Sequence, residues 1–168
     1  MTAIATLDHA GIARRVPHRG SMCLLDRLQH WTATEVHCTA TSHGAPDHPM
    51  RTAGGLLAPC AIEYAAQAMA LHGALVAESA TGGHGEPGAG YIASVRGVRL
   101  HAARLDDIPG PLHVFAERLS GDERQVLYAF RLADEAGRGL AEGRAVVVLN
   151  TPLADRPAQQ DNKEEKPA

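Results

Sequence analysis

The stretch from Pro59 to Ala77, PCAIEYAAQAMALHGALVA, limits the fold more than any other part of the chain. It consists of strong helix formers, with Pro59 suited to a first helical position, so the sequence predicts one helix roughly 28 Å long at about 1.5 Å per residue. Between Thr52 and Ala77 the only formally charged residue is Glu63, and alanines fall on every side of the helix. A surface helix carries one apolar stripe and a polar back. This one has no polar back, so it must be covered nearly all round.

The cover is expected to be sheet, because the remaining segments alternate with period two. Val126, Tyr128, Phe130 and Leu132 alternate with Gln125 and Arg131, and Val36, Cys38 and Ala40 with His37, Thr39 and Thr41. Leu24 to Trp31, Tyr91 to His101, Leu112 to Leu119 and Ala141 to Leu149 are further strands, the last a continuous AVVVL run suited to a central position. The short turns Ser120 to Glu123 and Asp134 to Gly139 imply antiparallel neighbours. The expected architecture is α+β: about six antiparallel strands wrapped around one long central helix.

A chain of 168 residues is the size of one domain. Residues 1–153 are assigned to it, and 154–168, ADRPAQQDNKEEKPA, to a disordered polar tail. The run TGGHGEPGAG, from Thr81 to Gly90, is a loop that divides the chain after the helix. A formal net charge of -3 provides no basic field for nucleic acid, and Glu63, Gln67 and His72 interrupt the most apolar segment short of a membrane span. Cys23, Cys38 and Cys60 stand singly, without a CxxC pair, as free thiols do in a reducing compartment. With no signal-peptide pattern at the N-terminus, the expected location is the cytoplasm. Neither a metal nor another cofactor is called for.

Two segments resemble the hotdog-fold 3-hydroxyacyl-acyl-carrier-protein dehydratases. Pro17-His18-Arg19-Gly20-Ser21-Met22-Cys23-Leu24-Leu25-Asp26-Arg27 is similar to that family's N-terminal Pro-His-Arg, aliphatic run and Asp-Arg. Ile62-Glu63-Tyr64-Ala65-Ala66-Gln67-Ala68 resembles its helical Glu-x-x-Ala-Gln, in a form similar to the divergent branch associated with aryl polyene pathways. The resemblance spans roughly residues 12–150 and implies the same wrapped-helix fold.

It also implies an activity: dehydration of 3-hydroxyacyl thioesters, held on the phosphopantetheine of an acyl carrier protein, to trans-2-enoyl thioesters. The main branch places its histidine in Gly-His-Phe-Pro, fourteen residues before the glutamate. Here that position is Pro49, with His48 at fifteen and His43 at twenty residues before Glu63. The base is therefore open between His43 and His48, with Glu63 as the acid. Gln67, one turn on, together with Gly54, Gly55 and Cys60 at the helix entrance, is placed on the substrate side. Backbone amides there, from Ala58 to Ile62 and at Gly54 and Gly55, are expected to polarise the thioester carbonyl.

His18 reads as a packing residue of the N-terminal motif, and Arg19 as a tether to Asp26. Arg96, Arg99 and Arg104 are candidates for a face toward an acidic carrier protein. The resemblance further implies a homodimer or higher oligomer, or a hetero-complex with another hotdog subunit. Two alternatives from other classes are an acyl thioesterase, and a non-catalytic hotdog subunit that binds an acyl chain or a homologous partner.

Overall fold

The computed structural model describes residues 6–82 and 90–149, in which seven strands form one antiparallel sheet around a single long helix. In chain order the elements are β1 (Leu7–Asp8), α1 (His9–Ala13), β2 (Arg27–Trp31), β3 (Glu35–Ala40), α2 (Ala61–Thr81), β4 (Gly90–Leu100), β5 (Leu112–Gly121), β6 (Gln125–Ala133) and β7 (Gly139–Leu149). Across the sheet the order is β1-β2-β3-β5-β6-β7-β4. The AVVVL run thus lies between two neighbours, as expected of a central strand. The strand beyond the expected six is β1, whose two residues are too few to show a period.

Alternation decides which face each strand buries. Val36 and Cys38 of β3, Leu112 and Val114 of β5, and Val126, Tyr128, Phe130 and Leu132 of β6 all turn inward. They meet Tyr64, Ala65, Ala68, Leu71 and Leu75 of α2 in one core. Leu24 and Leu25, expected to open β2, are buried outside the strand, because the Leu24 N–H is taken by Gln67 Oε1 at 2.8 Å.

α2 begins two residues after Pro59, which sits in a 3-10 turn over Ala58–Cys60, and ends four residues beyond Ala77. Gly82 stops it with φ 68°, donating its N–H to the Glu78 carbonyl at 2.9 Å. The expectation that the helix is covered all round is not met within one chain. Its back carries half-buried Ala66, Ala70 and Ala74 and exposed Gly73 and Ala77, small groups that leave little apolar area open. At the C-terminal end Arg15 binds Glu78, with Nε to Oε1 at 3.0 Å, and its Nη1 donates to the Gly11 carbonyl, so the pair ties α1 to α2.

Among the described residues no helix is long and apolar enough to cross a membrane. The three cysteines are free. Of the loop expected at 81–90, residues 83–89 lie outside the described part, as does the 154–168 tail.

Candidate active site

Glu63 occupies the first turn of α2 and its side chain is 28% exposed. Its Oε1 accepts a hydrogen bond from Gln67 Nε2 at 2.9 Å, and His18 Nε2 lies 2.9 Å from the same oxygen as an ion-pair contact. The orientation of Gln67 is forced. Its Oε1 faces the Leu24 N–H, which can only donate, and its Nε2 faces the Met22 carbonyl at 2.7 Å, which can only accept. The second Nε2 hydrogen therefore points at Glu63. The i,i+4 spacing makes this contact legible from sequence. The contact with His18 spans 45 positions and is not legible.

The motif around His18 explains how it arrives there. Pro17 fixes the preceding backbone, and Arg19 Nη1 gathers the carbonyls of Ala13 (3.1 Å), Val16 (2.6 Å) and His18 (3.0 Å). Arg19 does not tether Asp26 as expected. That carboxylate instead accepts from the Thr41 N–H and, at 2.7 Å, from Thr41 Oγ1, which joins the residue before β2 to the residue after β3.

The two candidate bases are placed differently. His48 Nδ1 accepts the Met50 N–H at 3.1 Å, so the ring hydrogen is on Nε2, which donates to Tyr64 Oη at 3.2 Å. Tyr64 then donates to Ser42 Oγ at 2.8 Å, and Ser42 to the Leu24 carbonyl at 2.8 Å. This chain of donors uses both ring nitrogens of His48. Burial, followed by the neighbouring His43 and Arg51, lowers its pKa. Burial also pushes the Tyr64 phenol up, which keeps it a neutral donor.

His43, 3% exposed, has its Nε2 3.1 Å from the Ile108 carbonyl, and its Nδ1 is enclosed without a partner among the described residues. Of the two loop histidines it is the one with a free lone pair. Spacing from Glu63, which favours His48, does not reveal this. Neither His43 nor His48 bonds Glu63.

Gly54 and Gly55 lie in a tight turn before the helix. The Gly54 N–H goes to Thr52 Oγ1 at 3.2 Å and the Gly55 N–H to the Thr52 carbonyl at 2.9 Å. At the helix entrance the amides of Ala58, Cys60 and Ala61 donate to Ala103, Leu57 and Ala58 respectively. The amides expected to polarise a carbonyl are therefore already engaged at these five positions. Gly55 has another role: at φ 93° its backbone lies against the Arg104 guanidinium, and a Cβ would come within 2.5 Å of Nη2.

Arg104 is fixed in turn by Asp106, which takes its Nε at 3.0 Å and Nη2 at 2.6 Å, Arg51 Nη2 at 2.8 Å and the Leu56 N–H at 3.0 Å. These donors, Arg104 first, hold the Asp106 carboxyl far below the usual range. Cys60 stands half-buried at the cap of α2, its thiol pKa raised by burial. Arg96, Arg99 and Arg104 do not share one partner-free face. Arg99 reaches Glu142 at 3.4 Å, Arg104 belongs to the Asp106 cluster, and Arg96 stands opposite Arg144 in register.

A depression of about 330 Å³ lies on the sheet face turned away from α2, lined by His30, His37, Phe115 and Arg131 among others, and contains none of these residues. Among the described residues no group of three or more His, Cys, Asp or Glu comes together that could hold a metal ion. The assembled features are thus a part-exposed carboxyl with a fixed amide and an imidazole behind it, and an adjacent loop holding one unpartnered imidazole nitrogen.

A family model described as ApeP dehydratase matches residues 10–156. Among solved structures, the dehydratase heterocomplex ApeI:P from Xenorhabdus doucetiae superposes with a TM-score of 0.70 at 23% identity, over 82% of this chain and 90% of that one. A protein from Staphylococcus aureus gives 0.55 at 12% identity over 75% and 93%, and a thioesterase from Pseudomonas aeruginosa 0.52 at 12% over 73% and 79%. At such identities these likenesses establish the hotdog fold. No curated protein resembles the chain closely enough to count as a match.

Proposed function

Because the chain belongs to the ApeP-like dehydratase family and is a dehydratase-type lyase, we propose that it removes water from 3-hydroxyacyl thioesters carried on an acyl carrier protein. The product is the trans-2-enoyl thioester, made during assembly of an aryl polyene or similar polyketide-like chain. The observation that carries this reading is Glu63: one carboxyl in the first turn of α2, held by an amide whose orientation is fixed.

The reaction needs a base for the α-proton and an acid for the departing hydroxyl. Glu63 supplies the acid. A loop imidazole supplies the base, and His43 fits that role better than His48 because its Nδ1 lone pair is free. His43 does not bond the Glu63 of its own chain, which suits a site shared between two hotdog subunits. β4 offers the joining edge, eleven residues long and paired among the described strands only with β7. The partner is a second copy or a homologous hotdog subunit, the latter favoured by the likeness to a heterocomplex.

The test is mass spectrometry of a 3-hydroxyacyl carrier protein incubated with the wild type, His43→Ala, His48→Ala and Glu63→Gln, each alone and together with a homologous hotdog subunit. Loss of one water in the wild type, abolished in Glu63→Gln and in His43→Ala, is expected. Release of free acid would assign a thioesterase instead, and an unchanged thioester would assign a non-catalytic subunit.

A further inference from the structure

Four histidines, one within α2 and three outside it, provide an internal comparison. His72 uses both ring nitrogens, Nδ1 with Tyr128 Oη at 2.9 Å and Nε2 with the Thr32 carbonyl at 3.0 Å. His48 also uses both, with Met50 and Tyr64. These rings serve packing, and every buried polar atom in them is matched. His43 and His18 each leave Nδ1 enclosed with no partner among the described residues. Of these two, only His18 touches Glu63. A ring kept for packing alone would not leave a nitrogen orphaned in this way.

We propose that His18 is a positioning residue of the reaction, whose Nε2–H joins Gln67 on Glu63 Oε1 and so puts the transferable proton on Oε2. This rests on the dehydratase reading and adds to it a residue outside the Glu-x-x-x-Gln segment and the histidine loop.

The geometry leads there directly. With Gln67 Nε2 and His18 Nε2 both 2.9 Å from Oε1, a proton on that oxygen would meet both of them, so the acid form of Glu63 carries its hydrogen on Oε2. Oε2 has no hydrogen-bond partner among the described residues, and the part-exposed side chain leaves it open to substrate. Nε2 is the ring nitrogen that faces Glu63, while Nδ1 is enclosed without an acceptor among the described residues.

During the reaction the base takes the α-proton, and the Cα–H electron pair becomes the Cα–Cβ double bond. The Cβ–O bond breaks with its pair to oxygen, which takes the Oε2 proton and leaves as water. Glu63 is then a carboxylate, and the two hydrogen bonds on Oε1 stabilise the charge it has just gained. Arg19, by anchoring the carbonyl of His18 and those before it, holds the ring in place for this role.

The experiment compares the full-length wild type with His18→Leu and His18→Gln, using a 3-hydroxyoctanoyl thioester of an acyl carrier protein as probe. Loss of one charge-assisted donor predicts a fall in kcat of about 10- to 100-fold for His18→Leu with KM little changed. Glutamine places an amide N–H near the position of Nε2, so His18→Gln is expected to keep kcat within about threefold of wild type. Full activity in His18→Leu overturns the proposal. So does a His18→Gln variant as impaired as His18→Leu, because the ring would then itself transfer the proton. An activity-independent measurement, 15N-histidine NMR of the wild type, is expected to show His18 protonated on Nε2 with a bare Nδ1, and the opposite tautomer also overturns the proposal. If the wild type dehydrates no thioester, the functional reading fails, while the NMR still decides whether His18 donates to Glu63.

Discussion

Gln67 joins stability to chemistry, and replacing it with methionine separates the two. Its amide is fully buried and makes three contacts: it accepts the Leu24 N–H and donates to the Met22 carbonyl and to Glu63. Methionine keeps the length of the side chain, so the repacking cost stays under about 1.5 kcal/mol. The larger loss is the Leu24 N–H, which has no water within reach because Leu24 is itself fully buried, and an orphaned donor of that kind costs about 1–3 kcal/mol. Together these give about 2–4 kcal/mol, or a drop in Tm on the order of 4–16 °C for a domain of this size. Glu63 keeps His18 as its remaining donor, so kcat is expected to fall only about 5- to 10-fold. Urea denaturation followed by circular dichroism, with the dehydration assay run on the same samples, measures both. A midpoint within error of wild type at unchanged m would refute the argument, since the segment from Met22 to Leu24 would then not depend on the amide. Gln67→Glu is expected to be worse than methionine, because a carboxylate there would face the Met22 carbonyl and Glu63 Oε1 with no hydrogen to offer either.

Two other perturbations have outcomes set by the structure. Burial keeps the His72 ring neutral in the native state, so the unfolded chain takes up that proton first as the pH falls through the unperturbed value of about 6.5. Stability from this group is complete above about pH 6.5 and declines below it, by about 1.4 kcal/mol per pH unit for one proton. His48, lowered by burial, and His37, lowered to about 4 chiefly by burial, act in the same direction, and denaturation midpoints from pH 7.5 to 4.5 that stay level would contradict all three. Gly55→Ala should lose about 1–2 kcal/mol from its positive φ alone and more from displacing Arg104, and Arg104→Ala in the same chain should recover the second part. Equal stability of the single and double variants would show that the guanidinium is not what confines Gly55.

The two periods in the sequence account for most of the fold. Alternation in β3 and β6 marked the inward residues correctly because a strand's side-chain period is fixed at two whatever its neighbours are. β1 was not legible, since two residues carry no period, and neither was the true start of β2. There Leu24 and Leu25 are apolar enough for a strand, but Gln67, 43 positions away, takes the Leu24 N–H. The open back of α2 was misjudged for a related reason: alanine and glycine look apolar in composition yet leave little surface to cover.

In the candidate site, the sequence by itself determined what local spacing can determine. Glu63 and Gln67 face the same way because they lie one helical turn apart, and Glu63 stands alone in charge because nothing near it in the chain is ionised. Only the tertiary structure distinguished the surroundings of the histidines. His43 and His48 differ by five positions and look interchangeable, but the Met50 N–H and Tyr64 occupy both nitrogens of one and leave a lone pair on the other. His18 looked like packing in a motif of its own and proved to be the residue against Glu63. Hydrogen bonds between distant segments depend on where the sheet and helix bring their backbones, and that placement is a property of the whole core, not of any segment's pattern.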